Sequence, residues 1–235
     1  MQVALVGYGA MNKLVEEELI NKGHSISGIV ALDQLYNLNE INKPFDLIIY
    51  FSSPACLDMN LEYATKNKKA LVIATTGYTE EQRKKIFDAS KLIPICYTAN
   101  FSLGVTVLKR VVKEMSEILK NDFDIEIVEK HHNKKVDAPS GTALALLEAA
   151  DPNNEFKHVF GRNGYSKREK EIGVSAVRGG TIVGEHSVIF AGTDELLEFK
   201  HEAFSKKIFS KGAVKAAEFI CFNKPGLYTM EDVLF

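Results

Sequence analysis

Four apolar residues, Val3-Ala4-Leu5-Val6, run straight into Gly7-Tyr8-Gly9-Ala10-Met11-Asn12, and a helical spacing through Leu14, Val15, Leu19 and Ile20 follows. A short unbroken apolar run is the pattern of a parallel strand buried on both faces, and the spacing after it is that of an amphipathic helix. Strand, glycine-rich turn and helix in this order are what a dinucleotide fold requires. Gly7 permits the tight turn, Gly9 lets a backbone approach a pyrophosphate, and the helix N-terminus supplies N–H donors and a favourable dipole. Gly7, Tyr8, Gly9, Ala10, Met11 and Asn12 are therefore the candidate phosphate-binding loop. Asn12 stands where a third glycine is expected; it tolerates left-handed backbone geometry and is small enough for close helix–strand packing.

Gly23 ends the helix, and a second strand, 26–32, delivers Asp33 about twenty residues beyond the glycines, where an acid suits the ribose hydroxyls of an adenosine. Ala31 is an alternative strand-end position without a polar group, and Lys13 could meet a 2′-phosphate, so both NADH and NADPH are expected cofactors. The alternation continues with a strand at 45–51, a helix at 57–67, a strand at 70–74, a helix at 80–90 and a strand at 93–97. Strands alternating with helices predict a doubly wound parallel sheet of Rossmann type. Thr75, Thr76 and Gly77 follow the strand at 70–74 directly, at its carboxyl end, the edge where open parallel sheets bind ligands.

Beyond residue 101 the texture changes. A long amphipathic helix, 105–119, precedes a strand carrying Ile125 and Ile127, and a helix begins near Ser140. Strand-like runs at 172–178, 185–191 and 196–201 are separated by Gly179-Gly180 and by Gly192-Thr193-Asp194, which read as hairpin turns. The expectation is a second α+β domain, residues 102–205, with a mixed, largely antiparallel sheet. A final helix at 211–222 returns to the first domain, which then comprises 1–101 and 206–235. Residues 151–170 are expected to be irregular.

The densest chemistry lies at 125–143, where the strand delivers His131 and His132, with Lys134 and Lys135 behind and Asp137-Ala138-Pro139 turning the chain into the next helix. Histidine changes charge near neutral pH, so His131 or His132 can give or take a proton during turnover. Lys134 or Lys135 supplies fixed positive charge. Ser140 is a good N-cap, and in Ser140-Gly141-Thr142 the free N–H groups and the Thr142 hydroxyl can grip a carboxylate or phosphate.

The whole run resembles the signature of the 4-hydroxy-tetrahydrodipicolinate reductase (dihydrodipicolinate reductase) family, Glu-x-His-His-x-x-Lys-x-Asp-Ala-Pro-Ser-Gly-Thr-Ala. Glu129, His131, His132, Lys135, Asp137, Ala138, Pro139, Ser140, Gly141, Thr142 and Ala143 all fit. The loops at Phe51, at Thr75-Thr76-Gly77 and at 98–105, the run from Arg178 to His186 and the last helix are similar to the family too, and the resemblance implies that Phe51 and Thr75 to Gly77 lie beside the nicotinamide ring and that Ala99, Asn100 and Phe101 contact the cofactor; His186 receives no catalytic role. The resemblance implies an oxidoreductase of the diaminopimelate route to lysine. NADH or NADPH would deliver hydride to C4 of a cyclic unsaturated dicarboxylate, and the resulting enamine would take a proton from His131 or Lys135. His132, Lys135, Ser140, Gly141 and Thr142 would hold the carboxylates, because a dianion needs cations and aligned N–H dipoles together. The cofactor loop and this grip lie on different domains, so closure about the hinges is expected to bring hydride and substrate together. The family commonly assembles as a homotetramer through the second domain's sheet, and that is the expected state.

Other classes are disfavoured. A net charge of −2 gives no footing for nucleic acid. The three cysteines, Cys56, Cys96 and Cys221, lack metal-ligand spacing and suit a reduced cytoplasm, so no metal site is expected. The opening apolar run reaches Gly7 too soon for a signal peptide or a membrane span. A nucleotide-sensing regulator would not need His131, His132 and Lys135, and another nicotinamide-dependent dehydrogenase would not need the complete Asp-Ala-Pro-Ser-Gly-Thr run.

Overall fold

The structure is a computed structural model that describes residues 1–31, 35 and 37–235. Asp33, the expected ribose-binding acid, lies outside the described residues. The chain divides into two compact units, Met1–Leu103 with Lys207–Phe235, and Gly104–Lys206.

The first unit is built on β1 (Gln2–Val6), β2 (Ser25–Val30), β3 (Leu47–Tyr50), β4 (Ala70–Ile73) and β5 (Pro94–Tyr97). Between them run α1 (Ala10–Asn21), α2 (Leu57–Lys66) and α3 (Glu80–Ser90). With β11 (Gly226–Tyr228) at one edge, the strands form a parallel sheet in the order β11-β5-β4-β3-β1-β2. Both faces are covered, which is why β1, β3 and β4 read as unbroken apolar runs. Ala4, Val6, Ile48, Leu71 and Ile73 pack with Leu57, Leu61, Ile86 and Ala89 of α2 and α3. Val3, Leu5, Leu47, Ile49 and Val72 pack on the other side with Val15 and Leu19 of α1 and with Ala213, Val214 and Ala217 of α6 (Lys207–Ile220). The terminal α7 (Met230–Leu234) adds Met230 to that layer. Two glycines set how closely these elements approach. Gly7 has φ +87° and a Cβ there would stand 2.3 Å from the Phe51 carbonyl oxygen; a Cβ on Gly212 of α6 would stand 1.6 Å from that of Phe101.

The second unit holds α4 (Leu103–Leu119), β6 (Asp124–His131), α5 (Gly141–Ala150), β7 (Lys157–Phe160), β8 (Glu171–Arg178), β9 (Gly184–Ala191) and β10 (Leu196–Ala203). Its sheet has the order β10-β9-β6-β8-β7. Ile125, Ile127, Ile172, Val174, Val188 and Phe190 bury against Leu108 and Val112 of α4 and Leu146 and Leu147 of α5. On β6 this inward parity continues to Glu129 and His131, while Lys130 points the other way, into an ion-pair row with Glu185 at 2.6 Å and, through it, Lys200 at 3.2 Å.

This sheet corrects the expected topology. β8 and β9 are not hairpin partners: β6 lies between them, parallel to β8 and antiparallel to β9. Gly179-Gly180 is therefore not a hairpin turn. It carries the chain over the end of β6, with the Gly179 N–H on the His131 carbonyl at 2.9 Å and the Asn133 N–H on that of Gly180 at 3.2 Å. The sheet is mixed as expected, but its ladders are evenly divided, β10·β9 and β6·β9 antiparallel, β6·β8 and β7·β8 parallel. Period-two patterning identifies strands and says nothing of their neighbours; a strand as buried as β6 needs a partner on each side. Part of 151–170 expected to be irregular forms β7, whose four residues Lys-His-Val-Phe alternate too briefly to stand out.

Candidate active site

In the first unit the expected cofactor residues gather on one edge of the sheet. Because the strands are parallel, the loops after β1 (Gly7–Gly9), β3 (Phe51), β4 (Thr75–Gly77) and β5 (Ala99–Phe101) all leave the same side. The Gly7 N–H donates to the Val30 carbonyl at 2.8 Å, fixing the turn. Gly9 is the N-cap of α1; among the described residues, none but its chain neighbours comes within 4 Å of where its Cβ would stand, and the first turn holds no acidic residue. An unobstructed, uncharged helix N-terminus fits a pyrophosphate. Ala10 and Gly9 are exposed, Tyr8 and Met11 half-buried, and the Tyr8 hydroxyl donates to Glu16.

Asn12 works differently from the expectation. It lies inside α1 with ordinary helical backbone, 0% exposed, and its amide donates to the carbonyls of Val6 at 2.9 Å and Gly7 at 2.6 Å. Its side chain ties the loop to the strand that feeds it, satisfying two carbonyls at a sharp turn. Thr75 is also internal, accepting from the Ser52 N–H at 3.0 Å, so it joins the loops after β3 and β4. Thr76, Gly77 and Ala99 are exposed on that edge, Gly77 with φ +83°. The rings of Phe51 and Phe101 meet at a tilt of 51°, 6.2 Å between centroids, and the Asn100 side chain accepts from the Ser102 N–H at 2.8 Å.

In the second unit the end of β6 and the start of α5 come together around one carboxylate. Glu129 is 0% exposed and accepts four hydrogen bonds: Oε1 from Arg178 Nη2 at 2.7 Å and the Ser140 N–H at 3.0 Å, Oε2 from Arg178 Nη1 at 2.8 Å and His131 Nδ1 at 2.6 Å. Burial by itself raises a carboxyl's pKa, but the Arg178 guanidinium, then His131 and the Ser140 N–H, hold Glu129 below the usual range. Arg178 also donates to the Asp137 carbonyl at 2.6 Å, pinning the turn that leads to Pro139.

Ser140 caps α5, its Oγ accepting from the Ala143 N–H at 3.2 Å and pairing with His186 Nε2 at 3.0 Å. With Ser140 only 2% exposed, its hydroxyl is spent inside the protein, while Gly141 is exposed and Thr142 half-buried beside it. Burial, then the neighbouring His131, lowers the His186 pKa to about 4, so this imidazole is neutral near pH 7. Its ring meets that of His131 edge-on at 5.1 Å. Lys135 Nζ pairs with Asp137 Oδ1 at 2.8 Å and holds that carboxyl below its ordinary pKa. His132 has its Nδ1 buried without a hydrogen-bond partner among the described residues. The outcome is a histidine oriented by a carboxylate, a cation three residues from its neighbour, and a capped helix N-terminus.

Comparison with known proteins gives this arrangement its context. Residues 1–101 match the family model for the N-terminus of dihydrodipicolinate reductase, and residues 104–234 match that for its C-terminus. The chain belongs to the dihydrodipicolinate reductase family. It is 50% identical to the 4-hydroxy-tetrahydrodipicolinate reductase of Caldanaerobacter subterraneus subsp. tengcongensis, covering 100% of this chain and 99% of that one. Identity to the enzyme of Clostridium novyi (strain NT) is 43%, over 96% and 94% of the two chains. Among solved structures, a dipicolinate-bound dihydrodipicolinate reductase from Paenisporosarcina sp. TG-14 shares the fold at a TM-score of 0.81 and 18% identity, covering 100% and 99%. Dihydrodipicolinate reductases are oxidoreductases of lysine and diaminopimelate biosynthesis that use NADH or NADPH.

Within this reductase scaffold, sequence reading missed two of the groups that organise the cluster. Arg178 and His186 lie 49 residues or more beyond Glu129 in the chain, and only the crossing of β8 and β9 on either side of β6 brings them to it. A signal was present at Glu129 itself: it continues the inward parity of Ile125 and Ile127, and a charge at a core position calls for a buried partner. No helix among the described residues is long and apolar enough to cross a membrane, and no metal-binding group of side chains occurs among them.

Proposed function

We propose that this chain reduces 4-hydroxy-tetrahydrodipicolinate to tetrahydrodipicolinate with either NADH or NADPH, and that the second unit holds the dicarboxylate. The observation that carries the reading is the link at the end of β6, where Glu129 joins His131 to the Ser140 N–H that opens α5, with His132 and Lys135 on the stretch of chain between them. The reduced nicotinamide supplies hydride when bound, and the loop from Gly7 to Asn12, with Phe51, Thr75, Thr76, Gly77, Ala99, Asn100 and Phe101, is the side of the first unit suited to hold it; Asp33 is assigned to the ribose from its place in the sequence alone. The dinucleotide's pyrophosphate fits there because Gly9 leaves the helix N-terminus clear.

Lys135, His132 and the N–H groups and hydroxyl at Gly141 and Thr142 hold the two carboxylates, answering charge with a cation and aligned dipoles. Lys135 is already matched to an acid, Asp137, at 2.8 Å; a substrate carboxylate takes over that role. Ser140 contributes by capping α5 and so aiming its N–H groups. His131 or Lys135 protonates the enamine carbon after hydride addition. The protein works in the cytoplasm as a homotetramer formed through the second unit's sheet, whose β10 is largely exposed in the single chain. A coupled absorbance assay tests the activity, following oxidation of each reduced cofactor while the preceding synthase makes the substrate in situ. Absence of substrate-dependent oxidation with both cofactors overturns the reading.

A further inference from the structure

We infer that Glu129 is a positioning residue for His131: its carboxylate, clamped by Arg178 and the Ser140 N–H, fixes the imidazole in the tautomer that carries hydrogen on Nδ1 and leaves Nε2 as the working nitrogen. This deepens the proposal above and rests on His131 as the proton donor.

Donors and acceptors fix the arrangement. An ionised carboxylate only accepts. Both oxygens of Glu129 are oriented by groups that only donate, Arg178 on each and the Ser140 N–H on Oε1, so the side chain has one settled orientation. Oε2 then faces His131 Nδ1 at 2.6 Å, and that nitrogen must carry the hydrogen. The imidazole has little freedom to escape this arrangement, its side chain being 12% exposed and its ring packed edge-on against His186. His186 makes no claim on His131's far nitrogen: its Nε2 pairs with Ser140 Oγ at 3.0 Å and its Nδ1 meets no hydrogen-bond partner among the described residues. Beside His131 Nε2 stands Gly184, whose missing Cβ would come within 3.1 Å of that atom; the glycine keeps that edge of the ring clear.

The consequence for chemistry is directional. The imidazolium form of His131 gives its Nε2 proton to the enamine carbon, forming the C–H bond and leaving neutral imidazole with Nδ1–H still on Glu129; solvent returns the proton before the next cycle. Nothing else moves. Replacing Glu129 by Gln reverses the polarity at one atom. Two fixed donors, the Ser140 N–H and Arg178 Nη2, still demand an acceptor at the Oε1 position, whereas Oε2 meets only one, Arg178 Nη1, which keeps the Val177 carbonyl as acceptor at 2.8 Å; the amide oxygen therefore stays at Oε1 and the NH2 faces His131. Nδ1 must then accept, and the hydrogen moves to Nε2.

Long-range 1H–15N correlation spectra of histidine-labelled protein read the tautomer directly, with the His131 signals assigned by their loss in His131→Ala. The expected result is hydrogen on Nδ1 in the neutral wild type and on Nε2 in Glu129→Gln. Glu129→Gln should lower kcat by at least about a hundredfold, in keeping with other carboxylates that orient a catalytic imidazole, with KM for both substrates within about threefold. In a His131→Ala background the same substitution should change kcat less than about twofold. Neutral wild-type His131 with its hydrogen on Nε2 would overturn the inference, whatever the variant does. So would an equal loss of kcat with and without His131, which would make Glu129 merely structural. Near-normal turnover in His131→Ala alone would instead sink His131 as the acid, while the wild-type tautomer still decides the positioning claim.

Discussion

Arg178 is in register with His131 across the β6·β8 ladder, yet its guanidinium reaches back two residues to grip both oxygens of Glu129, at 2.7 and 2.8 Å. The carboxylate is fully buried, so this pair is judged by what happens when one half is removed. An uncompensated buried charge costs far more than an intact pair contributes.

Arg178→Met is expected to destabilise the protein by about 3–5 kcal/mol near pH 7. The penalty should shrink in acid. Glu129 is held below its ordinary pKa of 4.5 in the folded protein, so its stabilising contribution is present above that pH and disappears as pH falls through the lower folded value. Once the carboxyl is protonated, losing its cation matters less. Denaturant unfolding of wild type and variant at pH 7 and near pH 4 checks this; a difference that stays constant or grows in acid contradicts it.

Gly212→Ala tests the close approach of α6 to Phe101. Alanine is the better helix former by about 1 kcal/mol, which by itself would stabilise α6. A Cβ 1.6 Å from a backbone oxygen cannot be accommodated without moving the helix, and overpacking of this kind costs about 1–3 kcal/mol or more. The steric term wins, so the thermal midpoint should fall by several degrees. A midpoint equal to or above that of the wild type would show that α6 is not held there.

Much of this molecule was legible because the informative signals are local. α3 spans the residues its pattern predicts, Glu80–Ser90, and Thr79 and Gln82 form a capping box at its start. β1 and the loop after it follow from an apolar run and two glycines. What was not legible is long-range: that β6 inserts between β8 and β9, and hence that Arg178 and His186 flank the histidines. Asn12 was legible in position but not in purpose, since only the structure supplies the two carbonyls that its amide serves. The hairpin expectation held at Gly192-Thr193-Asp194, which joins antiparallel β9 and β10, and failed at Gly179-Gly180 for the same reason, because a glycine pair marks a turn without saying what the chain turns over.

His131→Ala and Lys135→Ala are each expected to lower turnover by about two orders of magnitude or more, the range for a lost general acid or a key charge. Stability should change little in Lys135→Ala, whose Asp137 partner is half exposed and whose ion pair therefore contributes about 0–1 kcal/mol. Steady-state assays with thermal melts of the same samples separate the two effects. Near-normal turnover in both variants would remove this stretch from the chemistry.

Pyridine-2,6-dicarboxylate is expected to inhibit competitively with the substrate, since it carries two carboxylates at the substrate's spacing on a ring with no easily reduced bond. On the proposed reading the N-terminus of α5, with Gly141 exposed and Thr142 half-buried, offers aligned N–H groups to one carboxylate, and Lys135 of the same unit answers the other. Thr142→Val keeps the shape and the backbone N–H but removes the hydroxyl, leaving a charged acceptor one donor short. Inhibitor binding should weaken by about 1–3 kcal/mol. Cofactor affinity should change little, because the loop from Gly7 to Asn12 belongs to the other unit. Calorimetric titration of both ligands into wild type and Thr142→Val decides the matter: equal inhibitor affinity in the two proteins, or a loss confined to the cofactor, would place the dicarboxylate site elsewhere.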